Sequence, residues 1–217
     1  MYSPSYFRFE DLATAVTIIR ANSFGILVSS CDERMIGTHL PFLYAEPSEG
    51  RPHGALFAHV ARANPQWRSF GNAGEVLVLF QGEHGYISPR WYETLRSVPH
   101  VPTWNYEAVH VYGTPRIIAD DTAAVELLHR TVDAYEPAGS AYNSRALAGE
   151  YLANNAKAIV AFEIPITRLE TKLKMSQNRE VCDVLSVLKQ LEAAGDQASL
   201  RLANAIRSAN HARLHRI

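Results

Sequence analysis

Residues 25–43, GILVSSCDERMIGTHLPFL, place two apolar runs on either side of a short polar turn. Gly25-Ile26-Leu27-Val28-Ser29-Ser30 is too short and too uniformly apolar for a surface helix, and reads as a buried strand. Asp32-Glu33-Arg34 supplies the turn. Met35 to Leu43, carrying Thr38-His39-Leu40-Pro41, reads as the returning strand, so the pair predicts a β-hairpin.

Working outward, residues 10–22 carry Leu12, Val16 and Ile19 on one helical stripe, with Asn22 and Gly25 breaking the helix. After a Pro/Gly/Glu-rich loop (Glu46 to Pro52), Ala55 to Val60 predicts a third strand. Asn64-Pro65 then predicts a helix start, because Asn caps well and Pro tolerates the first helical position. Glu75 to Phe80 reads as a central strand, Val109 to Ile118 as another, and Ala158 to Ile164 as the last clear one, with Ile166 to Met175 extended after it. Helices are expected from Asp121 to about Tyr135, from Ser144 to Asn155, and along the stripe Val181, Val184, Leu185, Leu188 and Leu191, which stops at Gly195. A final helix starts at Asp196. Residues 82–106 hold Tyr86, Trp91, Tyr92, Trp104 and Tyr106 among glycines and prolines, an aromatic-dense loop that must cover the core, a flat ligand or a partner. Strands linked by short turns with helices appended predict a β-barrel with α additions.

Composition narrows the function classes. The chain has 217 residues, 47% hydrophobic and 20% charged, as an ordinary globular domain does. No apolar run is long enough to span a bilayer, and MYSPSYFRFED lacks the basic start and apolar core of a signal peptide, so the expected location is cytoplasmic. Cys31 and Cys182 are too few for a disulfide framework and are expected as packing thiols. Net charge is −1. A protein that mainly grips phosphates carries a basic surplus, so the balance weighs against DNA binding as the main activity.

The dinucleotide, P-loop, zincin, nucleophile-elbow and CxxC signatures are all absent. His211 and His215 stand four apart and could share a metal, but no carboxylate or Cys accompanies them, and the plainer reading is a solvated tail. The same tail carries Arg201, Arg207, Arg213 and Arg216, either phosphate contacts or a solubilising surface. His39, His59 and His110 each fall within an expected strand. If neighbouring strands bring Thr38-His39 and His59 to one face, with Arg62 just beyond, the cluster offers donors to a polar ring edge and a cation to a phosphate, and the helix opened by Asn64-Pro65 adds N–H groups to an anion site.

Six motifs in order then resemble those of one family: Gly25 to Ser29, Thr38 to Pro41, His59 to Trp67, Tyr86-Ile87-Ser88-Pro89 with Trp91-Tyr92, Val101 to Tyr106, and Lys172 to Asn178. The chain resembles the PaiB-type FMN-binding negative transcriptional regulators over roughly residues 1–180. Glu83 and Arg90 depart from that pattern. The resemblance implies an FMN-binding split barrel related to pyridoxamine-phosphate oxidase, spanning residues 1–175, with a C-terminal helical extension over 176–217. It implies a homodimer with FMN at the interface. By similarity Thr38 and His39 approach the isoalloxazine or ribityl chain, His59, Arg62 and Asn64 approach the phosphate, Trp104 and Asn105 close over the ring, and Lys174 and Gln177 complete the site. Three functions compete: an FMN-binding dimeric regulator that lowers transcription, with direct DNA contact left open, an FMN-dependent oxidoreductase (flavin reductase or small-molecule oxidase), and a haem-binding or haem-degrading split barrel. Fold does not separate them.

Overall fold

The computed structural model describes residues 1–31, 34–71 and 74–215. The expected turn at Asp32-Glu33 and the tail residue Arg216 lie outside the described residues. In chain order the regular elements are β1 (Arg8–Phe9), α1 (Leu12–Ala21), β2 (Phe24–Cys31), β3 (Arg34–Pro41), β4 (Leu43–Ala45), β5 (Ala55–Ala61), β6 (Val76–Ile87), β7 (Thr103–Gly113), β8 (Arg116–Ile117), α2 (Asp121–Tyr135), α3 (Gly149–Lys157), β9 (Ile159–Lys174), α4 (Val181–Ala194), α5 (Gln197–Ala209) and α6 (His211–Leu214). Single 3₁₀ turns lie between several of them. The strand path runs β3-β2-β6-β7-β9-β5-β4, and β1 and β8 also pair with β9. Every pairing with a resolved register is antiparallel.

The chain divides into two compact units, one of Ile19–Phe80 with His110–Leu169, the other of Met1–Ile18, Gln81–Val109 and Glu170–Ile217. In the first, β2 and β3 form the expected hairpin, with Leu27 opposite Thr38 and Ile26 opposite His39. Its core is built from alternating inward residues, Leu27, Leu56, Ala58, Val60, Val78, Phe80, Phe162 and Ile164 among them. Phe42 meets Phe80 edge-on at 5.5 Å, and Phe70 lies 4.9 Å from Phe162. Gly113 is required there, because a Cβ would sit 2.2 Å from the Pro165 carbonyl oxygen. Ala124 and Leu127 of α2 pack on Ala161 of β9.

In the second unit, β1 pairs with the end of β9, Arg8 opposite Lys172. The apolar stripe of α4 is buried at Val184, Val187, Leu188 and Leu191, whereas Leu185, expected on it, is exposed, and α5 buries Leu202, Ala203 and Ile206. Gly195 ends α4 in the left-handed region at φ 72°, and the Asp196 side chain caps α5 by accepting from Ser199 N.

Two further expectations about the elements themselves need correction. The aromatic segment 82–106 is not a loop throughout: β6 continues to Ile87 and β7 begins at Thr103, so Tyr86, Trp104 and Tyr106 stand on strands. Gly82 is there for proximity, since a Cβ would press within 2.4 Å of the Glu107 carboxylate. It thins the strand without breaking it. The helix at Asn64-Pro65 is a 3₁₀ turn of five residues, Pro65–Ser69. Its capping is as read, but the Gln66 N–H is given to Asn64 Oδ1 at 2.9 Å and serves no anion.

Candidate functional site

The residues singled out from the sequence fall into two groups, one in each unit. In the unit of Ile19–Phe80, Thr38 on β3 donates to Gln66 Oε1 at 2.6 Å and accepts from Asn64 Nδ2 at 3.0 Å. Gln66 is wholly buried, and its Nε2 reaches Ser29 Oγ at 3.0 Å, the Ile36 carbonyl at 3.2 Å and the Leu27 carbonyl at 3.3 Å. This network ties the hairpin to the 3₁₀ turn. Gln66, which the sequence reading passed over, is its centre; its position two residues after an Asn cap was the available signal.

The expected meeting of Thr38-His39 and His59 on neighbouring strands does not occur by pairing. β3 pairs with β2, whereas β5 pairs with β4 and β9. Asn64 and Gln66, carried past the end of β5, make the connection to Thr38 instead. His39 points to the other side of β3 from Leu40 and is exposed, its ring 6.0 Å from that of Phe24. His59 is half-buried on β5, and desolvation holds its imidazole below the usual pKa, so it is neutral at pH 7. Arg62 donates through Nε to the Lys157 carbonyl at 2.6 Å and through Nη2 to the Ile159 carbonyl at 2.7 Å. Those bonds fasten the start of β9, and Nη1 is the guanidinium nitrogen left without a partner among the described residues.

The second group surrounds the end of β9. Lys174 donates to the Trp104 carbonyl at 2.6 Å and to Thr103 Oγ1. Burial first, then the charges of Lys172 and Arg179, holds its ammonium below the ordinary lysine pKa. Lys172 is buried, with its ammonium 5.2 Å from the Tyr106 ring. Asn105, 1% exposed, donates from Nδ2 to Ser176 Oγ at 2.8 Å. Gln177 accepts from Met175 N at 2.7 Å and donates to the Leu173 carbonyl at 2.6 Å. Asn210 and Arg213 add bonds to the carbonyls of Met175, Gln177 and Arg179. The turn is fixed from every side, which allows Ser176 a left-handed φ of 64°.

Above that rigid turn Trp104 is 54% exposed, unusual for so large an apolar ring. His84 lies nearly parallel to it at 6.4 Å, and Tyr86 stands edge-on at 6.3 Å. An exposed aromatic face whose backbone carbonyl is held by the Lys174 ammonium suits a flat ligand with an electron-rich polar edge. Isoalloxazine is such a group, so the residues of this unit fit FMN by their donor set.

The remaining candidates are absorbed by other partners. Arg201 pairs with Glu83 at 2.9 Å, which accounts for one of the two departures from the family pattern, and Arg207 pairs with Glu192. With Arg213 holding the turn, each described tail arginine named above has an intrachain task. The His211 and His215 rings are 4.2 Å apart, but no metal-binding group of three or more ligands exists among the described residues. Cys182 is a free thiol exposed on α4, not a packing residue. No helix among the described residues is long and apolar enough to cross a membrane.

Comparison with known proteins gives the family and the fold. Residues 1–168 match a family described as "Putative FMN-binding domain". The chain is 35% identical over 192 residues to the protease synthase and sporulation protein PAI 2 of Bacillus subtilis, covering 88% of this chain and 89% of that protein. It is 31% identical over 225 aligned positions to an uncharacterised protein of Emericella nidulans, covering 88% and 90%. Among solved structures, the flavocytochrome Anf3 of Azotobacter vinelandii superposes with a TM-score of 0.60 at 14% identity, over 77% of this chain and 69% of that one. An FAD- and haem-binding protein of Mycobacterium smegmatis gives 0.59 at 17%, over 77% and 73%. At these identities the likeness is one of fold: an antiparallel sheet with flanking helices, as in flavin-binding split barrels.

Proposed function

Since the chain belongs to the FMN-binding domain family, as a PaiB-type member, we propose that it is a homodimeric flavoprotein regulator that binds FMN and lowers transcription. The observation that carries the flavin reading is the exposed Trp104 ring, flanked by His84 and Tyr86, on a backbone carbonyl that takes the Lys174 ammonium. FMN, when bound, supplies either a redox-active ring or a ligand signal. The chain's own part is to hold it. Trp104, with Asn105 bonded behind it to Ser176, would cover the ring; Lys174, next to the turn that Gln177 fastens, would offer its ammonium to a polar edge. By the family resemblance, Thr38 and His39 would serve the ring or ribityl chain of FMN, and His59, Arg62 and Asn64 its phosphate. Thr38 and Asn64 act there mainly as a frame, because both are already bonded to Gln66 or to each other. Each unit exposes apolar side chains that a second copy would cover, Trp104 and Tyr86 in one and Phe24 and Met35 in the other.

The regulatory part rests on the family resemblance. The described tail arginines are spent on intrachain partners, so regulation is expected to act through the flavin-bound dimer more than through a basic DNA-gripping face. The test is to delete the gene and follow a reporter driven by the DNA upstream of it. Expression should rise on deletion and fall again when the intact gene is restored. An unchanged reporter contradicts the regulatory reading and leaves flavin binding to be judged separately.

A further inference from the structure

In the unit of Ile19–Phe80 and His110–Leu169, a cleft of about 360 Å³ opens between the end of α1, the start of β4 and the last turns of α2. That is the size of a small-molecule site. None of the residues assigned above to FMN lines it. Its walls set the rings of Phe42, Tyr44 and Tyr135 beside two guanidinium groups, Arg20 and Arg130, and one carboxylate, Asp133.

Those charges are unevenly matched. Arg20 is paired with Glu46, and Asp133 accepts from Arg145 Nη1 at 2.7 Å. Arg130 has neither a carboxylate nor a hydrogen-bond acceptor among the described residues; its guanidinium lies 4.9 Å from the Phe57 ring centre. Stacking holds the group in place while leaving its donors unengaged. A fixed, unpaired guanidinium fork is the arrangement that takes two carboxylate oxygens at once. Ser23 Oγ and Tyr135 OH, 2.6 Å apart, add hydroxyls to the same wall.

The helix ends decide which anion. Both α1 and α2 finish at the cleft, and helix C-termini carry partial negative charge. That field opposes a dianion more than a monoanion. The three aromatic rings favour a flat apolar body over a compact ion.

We propose that this cleft is a second ligand site, separate from that of FMN, which takes a small aromatic monocarboxylate with its carboxylate on Arg130 and its ring among Phe42, Tyr44 and Tyr135. A site of this kind would let a metabolite report to the same protein that holds the flavin.

The test is calorimetric titration of benzoate into the full chain with FMN present, in parallel with benzamide, phenyl phosphate and the variants Arg130→Gln and Arg130→Lys. Benzoate should bind, benzamide roughly 10-fold more weakly because it lacks the charge, and phenyl phosphate more weakly than benzoate. Arg130→Gln should lose roughly 10-fold, and Arg130→Lys less, because it keeps the charge without the fork. The flavin spectrum should show no release of FMN by benzoate. Equal binding of benzamide and benzoate overturns the proposal, as do tighter binding of phenyl phosphate, unchanged affinity in Arg130→Gln, or displacement of FMN. The benzamide comparison uses the unaltered chain, so it decides the matter even where a variant fails to fold.

Discussion

Lys174 hands its ammonium to the main-chain carbonyl of Trp104 at 2.6 Å, so the cation at the end of β9 and the exposed ring at the start of β7 are fixed as one corner. The two side chains are consequently expected to fail separately and measurably.

Trp104→Ala removes the aromatic face and leaves the lysine. Loss of ring stacking, about 0.5–1.5 kcal/mol, predicts FMN binding weakened roughly 2- to 12-fold. Quenching of flavin fluorescence during titration reads this directly, and an unchanged dissociation constant would remove Trp104 from the site.

Lys174→Met removes the charge and leaves the ring. In the parent protein the ammonium is the binding-competent form, and its pKa lies below the ordinary lysine value. FMN affinity should therefore begin to fall with rising pH before the ordinary lysine range is reached. The same titration on Lys174→Met should start weaker and lack that alkaline decline.

The Ser176 turn supplies a stability test. Its left-handed φ costs about 1 kcal/mol, which glycine would not pay, while its hydroxyl satisfies the buried Asn105 amide. Ser176→Ala keeps the strain and loses the bond, and should cost about 1–3 kcal/mol. Ser176→Gly loses the bond but relieves the strain, so it should rank above Ala by about 1 kcal/mol in denaturant unfolding. The reverse order would contradict the conformation.

Glu107 supplies a pH test. Burial first, with Glu83 adding repulsion, raises its pKa above 4.5, partly offset by the hydrogen bond it accepts from Glu83 N. An acid with a raised folded pKa binds protons more tightly in the native state, so stability is lost as pH climbs from the unfolded value through the folded one. Glu107→Gln is predicted to be more stable than the parent at pH 7, with the gap closing as pH falls below the ordinary carboxylate value of 4.5. Thermal melts across that range check it.

Much of this fold was legible in the sequence because local rules and tertiary structure agree there. The β2–β3 hairpin, the Asn64 cap, the Val184, Leu188 and Leu191 positions of the α4 stripe, its Gly195 stop and the Asp196 cap all follow from short-range chemistry. Where non-local packing decided the outcome, the sequence misled. Gly82 and Gly85 look like breaks, yet they continue β6 because Glu107 and Leu202 need the space. The bonds of Arg62 to two carbonyls about 95 residues away likewise have no local signal. Gln66 was invisible for the same reason: its partners come from the hairpin, 28–39 residues earlier.

The polar network around Gln66 predicts the largest structural loss. Gln66→Leu leaves the Leu27 and Ile36 carbonyls and Ser29 Oγ without their common donor, and should cost about 2–4 kcal/mol in denaturant unfolding. A cost within experimental error would mean that the hairpin does not depend on this anchor.

The claim on which the rest depends is that this chain holds FMN. The absorption spectrum of the purified protein, recorded before and after denaturation and with FMN added back, tests it most directly. A yellow protein that releases FMN on unfolding, or a colourless one that takes up FMN with a saturable spectral shift, is the result predicted. A colourless protein whose spectrum is unchanged by excess FMN would contradict it.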